Sequence, residues 1–290
     1  MRAFPIRWNR ERFHRIGNRS RVRRMRFLLA LCGVATLLAA CETAPVTGRS
    51  QMMLVGESEE RQMGLQAYRE VLSKEQLSED AQANELVAKV GRRIAAAAGR
   101  PPSELWRAPR FRWEFKTVDK NEPNAFCLPG GKVVVYTGIL PITRTEAGLA
   151  VVIGHEVAHA LARHGAERMS DQMVAQLGAT AAAVALSATV SGRSRAYLPA
   201  MMAALGAGAT VGFLLPMSRA QESEADRIGL ILMAMAGYDP REAITVWERM
   251  RAANTGPRKA EWLSTHPADT TRLADIRQWL PEAMRYYRPQ

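Results

Sequence analysis

An α+β fold, mostly helical with a small sheet, is predicted by three features of this chain. Helix-patterned runs occupy both halves, two β-patterned stretches sit near the middle, and no repeat is visible. Once an N-terminal targeting segment is set aside, roughly 250 residues remain, enough for one sizeable domain, expected over 57–290. The pattern predicts helices over 57–72 and 78–98, closed by Gly99-Arg100-Pro101-Pro102. Phe111 to Val118 alternates apolar and polar residues, and Val133 to Tyr136 is β-branched and aromatic, so two strands joined by a Pro/Gly/Asn-rich connection are expected. Thr145 is a suitable N-cap and Glu146 suits the positive end of a helix whose apolar residues continue through Ile153. Ser218 and Gly237 bracket another helix as cap and terminator, and short helices follow near 240–251 and 270–280. Between these elements, 173–190 and 198–215 are two Ala- and Gly-rich apolar runs. Polar Gln176, Ser187 and Thr189 interrupt the first, which favours a packed or lid-like hairpin over membrane spans.

The chemistry concentrates in His155-Glu156-Val157-Ala158-His159. Residues four apart on a helix differ by about 40° around its axis, so His155 and His159 share a face and can grip one metal ion. Glu156 lies about 100° further round, where it can hold an activated water without ligating. A helical zinc site of this type needs a third protein ligand and an open fourth position. Glu222 in the second capped helix is the candidate. Asp226, one turn on, is placed either to accept from the non-ligating nitrogen of a zinc-bound histidine or to donate a proton to the leaving group. Glu224 points elsewhere on that helix and reads as a solvated surface charge.

HEVAH together with Glu222-Ser-Glu-Ala-Asp226 resembles the HExxH and ExxAD signatures of the zinc metallopeptidase family that includes HtpX, BepA, LoiP and the CAAX prenyl proteases. Residues 124–131 with 133–138, Ser264-Thr265-His266-Pro267 with Arg272, and Pro45-Val46-Thr47-Gly48-Arg49 are also similar to segments of the bacterial members. Among these the chain looks closest to the lipoprotein members without a helical-repeat domain. The resemblance implies a gluzincin-type metallopeptidase domain with one Zn2+ per chain, and an edge strand beside the HExxH helix. It implies Glu156 as general base and His266 as a regulatory fourth ligand that holds the enzyme inactive. It further suggests Asp226 as a proton donor, and Arg272 is a candidate stabiliser of the transition-state oxyanion. An edge strand can pair with an extended polypeptide, giving backbone-driven binding with loose side-chain preference; Asn124, Gly131, Val133 and Val135 are its candidate residues.

The N-terminus supplies an expected location. A basic start, an apolar core and Leu38-Ala39-Ala40-Cys41 look like a bacterial lipoprotein signal over 1–40, with Met25 an alternative start. Cleavage before Cys41 would leave a lipidated residue, a linker over 41–56 and a periplasmic protein at the outer membrane. Of the net charge of +12, residues 1–40 carry +9, ten arginines against one acid, so only +3 remains and nucleic-acid binding loses its support. The cysteines agree: Cys32 leaves with the signal, Cys41 takes lipid and Cys127 has no partner for a disulfide. The expected activity is peptide hydrolysis on misfolded or misassembled envelope proteins. A chaperone or assembly factor that binds such clients with little cutting is the alternative.

Overall fold

A computed structural model of the chain describes residues 41–100, 105–107, 109–189, 217–253, 262, 266 and 271–289. The expected signal segment and the second apolar run, 198–215, lie outside them. The chain divides into two compact units, Met1–Glu42 and Thr43–Gln290, and every element after β1 lies in the second.

Its elements run β1 (Cys41–Thr43), β2 (Ser50–Met52), α1 (Glu57–Lys74), α2 (Ala81–Ala98), β3 (Glu114–Val118), β4 (Ala125–Leu128) and β5 (Lys132–Tyr136). After a 3-10 turn at Thr137–Ile139 come α3 (Leu140–Thr143), α4 (Glu146–Leu161), α5 (His164–Thr189), α6 (Arg219–Met235), α7 (Glu242–Ala253) and α8 (Arg272–Met284). The mostly helical α+β expectation therefore holds. Capping follows the sequence closely. Thr145 Oγ1 accepts from the Gly148 amide at 2.9 Å, and Ser218 forms a reciprocal box with Gln221 at the start of α6. Gly237, at φ +80°, ends α6 in the left-handed conformation that glycine adopts without a Cβ penalty.

The sheet departs from the expected pair of joined strands. β5 is its central strand, parallel to β3 and antiparallel to β4, so β3 and β4 are its two edge strands. The connection between β3 and β5 thus contains a strand, Ala125-Phe126-Cys127-Leu128, whose four apolar residues show no polar alternation to advertise it. Residues 41–56 are likewise no free linker. Ala44, Met53 and Val55 are buried, and Met53 and Val55 pack against Ala166 of α5. The first apolar run, expected over 173–190, forms the later part of α5, which runs from His164 to Thr189. No helix among the described residues is long and apolar enough to cross a membrane.

Helix α4 sits at the centre, with every residue from Gly148 to Ala160 buried. A helix that is apolar nearly all round can be satisfied only in the middle of a domain, and α2, α6, α7 and the sheet surround this one. Val152, Ile153 and Val157 of α4 share a core with Val133, Val135, Ile228, Ile231 and Leu232, each such side chain stabilising by roughly 1.5–3 kcal/mol. The α4–α6 contact is closest at two glycines. A Cβ on Gly229 would lie 3.0 Å from the His155 amide nitrogen, and one on Gly154 would lie 3.1 Å from the Gly229 carbonyl oxygen. This backbone approach brings the two helices carrying the polar residues within reach of one another. Gly229→Ala is expected to cost about 1–3 kcal/mol through overpacking, read as a lower urea midpoint. An unchanged midpoint would show that the crossing has room to spare.

Candidate metal centre

Four side chains converge between α4, α6 and the segment before α8. One ligand atom from each of His155, His159, Glu222 and His266 lies within 4.8 Å of the others, and all four residues are buried. The Nε2 atoms of His155 and His159 are 3.0 Å apart. Each stands 3.5 Å from a Glu222 carboxylate oxygen, and His266 Nδ1 is 3.3 Å from His155 Nε2. Tetrahedral zinc with nitrogen and oxygen ligands at about 2.0–2.1 Å requires donor atoms about 3.3 Å apart, close to the spacings found here. The carboxylate points the same way. Glu222 Oε2 is buried and accepts no hydrogen bond; Arg272 Nη1 lies 2.6 Å from it, but as an ionic contact without hydrogen-bond alignment.

Electrostatics favour a positive charge here. Burial pushes the His155 ring pKa down, but the hydrogen bonds it donates to Asp226 and Glu222 outweigh that and hold the pKa up to about 9. Burial also opposes ionisation of Glu222, yet His266 and Arg272 keep its carboxyl well below the usual range. His159 is driven the other way, its protonation suppressed by burial and then by His155. The set thus comprises an ionised carboxylate and imidazoles competing for one cation.

Asp226 Oδ1 meets His155 Nδ1 at 2.9 Å, and both its oxygens also receive the Arg272 guanidinium. That arrangement orients His155. Arg272 is buried, committed to Asp226 and Glu222, and stacked 3.7 Å above the Trp247 ring. It is therefore no exposed helix arginine, and reaching an oxyanion would require it to leave both carboxylates.

Glu156 occupies the open side of the centre. Trp262, which the sequence reading missed, donates its indole N–H to Glu156 Oε1 at 2.6 Å, and His266 Nε2 lies 3.4 Å from the same oxygen. Trp262 stands one turn before His266, with the His266 amide bonded to its carbonyl, and that i, i+4 spacing is the only signal that linked the two. A cleft of about 70 Å³ opens onto Glu156, His159 and His266, and residues 124–129 form its wall. The edge strand beside the helix is therefore β4. Asn124 lines the cleft as expected, but Val133 and Val135 are fully buried in the central strand and Gly131 makes a turn against Phe111 and Trp113. The expected assignment of those three as substrate contacts is corrected: a strand paired on both sides has no backbone groups left to offer.

Glu224 also departs from expectation. It is 4% exposed, not a solvated charge, and Arg49 binds it at 2.9 Å while also pairing with Glu167. Burial raises the Glu224 pKa, but hydrogen bonds from His164, Arg49 and Thr47 bring it down to about 2, and Arg49 and Gln221 likewise lower Glu167. Both carboxyls ionise more readily folded than unfolded. Their contribution is present above the ordinary value of 4.5 and is lost as pH falls from there towards 2. Arg49→Met should flatten that limb of a stability–pH curve measured by denaturant titration; an unaltered limb would assign the acid sensitivity elsewhere.

Residues 81–280, which include all of these residues except Thr47 and Arg49, match the model of peptidase family M48. The chain belongs to that family. It is similar to the mitochondrial metalloendopeptidase OMA1 of Schizosaccharomyces pombe, 39% identical over 83% of this chain and 67% of that protein. It is also similar to human metalloendopeptidase OMA1, at 29% over 84% of this chain and 47% of the relative. The beta-barrel assembly-enhancing protease of Escherichia coli K12 matches at 29%, over 84% and 51%. The chain thus spans about half to two thirds of these relatives, and it is a metalloendopeptidase by family. The expected periplasmic, lipid-anchored location is overturned, because the relatives from yeasts, a plant and vertebrates are named as mitochondrial. An arginine-rich, acid-poor N-terminal segment is a composition that transit peptides share with the basic start of a signal, and a four-residue lipobox is too short to separate them.

Proposed function

We propose that this M48 peptidase is a zinc-dependent endopeptidase acting on unfolded or misassembled polypeptides, bound in extended form along β4. The observation that carries the reading is Glu156 held beside the donor set, on the cleft whose wall is the edge strand. His155, His159 and Glu222 would hold zinc, which when bound supplies water activation near neutral pH and polarisation of the scissile carbonyl. Glu156 takes the proton of the attacking water and passes it to the leaving amine. Trp262 fixes the Glu156 carboxylate in the rotamer that points it there. Asp226 keeps the His155 proton on Nδ1 so that Nε2 faces the centre, and Arg272 anchors Asp226 and Glu222. Pairing to the β4 edge selects for an extended backbone rather than a particular side chain, which suits substrates that have lost their fold.

Purified zinc-loaded protein is expected to degrade casein, an unfolded protein, without sequence restriction. Suppression of aggregation without any cleavage would move the reading to a binding protein. His266 completes the donor set, so its imidazole competes with substrate for the fourth position. His266→Ala is expected to raise casein hydrolysis by roughly tenfold, as for a closed arrangement nine-tenths populated. A fall in rate would assign His266 a productive role instead.

A further inference from the structure

The two ligand histidines are backed unequally. His155 Nδ1 reaches a carboxylate directly, whereas His159 Nδ1 faces another imidazole, with His164 Nδ1 at 2.8 Å. His164 is fully buried, opens α5 immediately after α4 ends, and turns its Nε2 to Glu224 Oε2 at 3.2 Å. Glu224 is gripped in turn by Thr47 and Arg49 from the segment between β1 and β2, and Arg49 also pairs with Glu167. His164, Glu224, Thr47 and Arg49 do not line the cleft.

Proton positions follow from the nitrogens. His159 Nε2 points into the donor set, 3.0 Å from His155 Nε2, so ligation through it places the proton of a neutral ring on Nδ1. Two Nδ1 atoms at hydrogen-bond distance share one proton, so His164 Nδ1 must accept. The His164 proton is then on Nε2, where the Glu224 carboxylate receives it. Each link has one donor and one acceptor, and the chain ends on an ionised carboxylate fixed by a guanidinium. A hydrogen bond to the far nitrogen of a ligand histidine fixes its tautomer and raises its basicity, which ordinarily changes metal affinity 10–100-fold.

We infer that His164 is a positioning residue for the metal centre: it orients His159 through a His159–His164–Glu224 relay whose outer end is clamped by Arg49. This rests on the zinc-site reading above. The relay places a carboxylate behind each ligand histidine, Asp226 at first hand and Glu224 at second hand. It also makes the segment around Arg49, distant in sequence, part of the machinery that determines how tightly His159 binds.

Two measurements test it. In zinc-loaded protein with 15N-labelled histidine, long-range 1H–15N correlations should show His164 protonated on Nε2 and His159 on Nδ1. His164 protonated on Nδ1 would overturn the relay outright. Zinc affinity, measured by competition with a chromogenic chelator, should weaken 10–100-fold in His164→Phe and severalfold in Arg49→Met, with the melting temperature of zinc-free protein used to confirm that each variant folds. Affinity within twofold of the parent in folded His164→Phe would overturn the proposal. Should that variant not fold, the tautomer measurement on the unaltered protein decides alone. Absence of zinc binding in the parent itself would instead defeat the metal assignment, which separates the two failures.

Discussion

Glu156→Gln is expected to lower kcat for casein hydrolysis by about 10²–10⁴-fold while leaving fold and zinc content intact. Glutamine matches glutamate in size and keeps an oxygen that can accept the Trp262 indole N–H, so the 2.6 Å contact survives and the side chain stays in place. What disappears is the ability to take a proton. The residue touches none of the ligand nitrogens in a way the metal needs, so zinc affinity measured by chelator competition should be unchanged within a few fold. A variant that cleaves within tenfold of the parent would remove Glu156 from the reaction; loss of zinc together with activity would make it part of the ligand set.

Arg272→Met should produce the largest loss of stability of any single replacement considered. The guanidinium is 5% exposed and serves Asp226 and Glu222 together, so its removal leaves two buried carboxylates sharing one fewer cation. Breaking a buried ion pair from one side costs about 3–5 kcal/mol, or roughly 6–20 °C in melting temperature for a domain of this size. Methionine preserves an apolar stem against Trp247, whose ring the guanidinium covers at 3.7 Å, so the loss is mainly electrostatic. The drop should be smaller in saturating zinc, which neutralises Glu222 in place of the arginine. A melting temperature within 2 °C of the parent, with and without zinc, would show that the carboxylates find other partners, since about 3–5 kcal/mol cannot hide there.

The helices were legible because their signals are local. Thr145, Ser218 and Gly237 cap through bonds a few residues long, and the spacing of His155 and His159 on one turn is a property of the helix alone. Glu222 was recoverable because an acidic residue at a capped helix start is also what a third ligand requires. Four of the five histidines in the chain meet in or beside this centre, yet the sequence distinguished only two as a pair. His164 follows a helix end with no pattern that names its neighbour, and His266 was placed at the centre only by the resemblance of its segment to the family.

The misread residues share a cause. Glu224 was taken as exposed because two residues round from Glu222 is the far side of an isolated helix, but α6 is covered there by Thr47 and Arg49. Val133 and Val135 have the composition of any strand, and whether a strand lies at the centre or the edge depends on partners elsewhere in the chain. β4 was overlooked because its four consecutive apolar residues lack the polar alternation that marks a half-buried strand.

By itself, then, the sequence determined a mostly helical peptidase fold and singled out one candidate general base and three candidate ligands, because capping and helical periodicity act over distances of one or two turns. Only the tertiary structure decided which strand borders the cleft, that Arg272 is buried between two carboxylates, and that Trp262, His164 and Arg49 support the centre. Those choices depend on long-range packing, above all the glycine crossing of α4 and α6, and packing between distant segments leaves no period in the chain that records it.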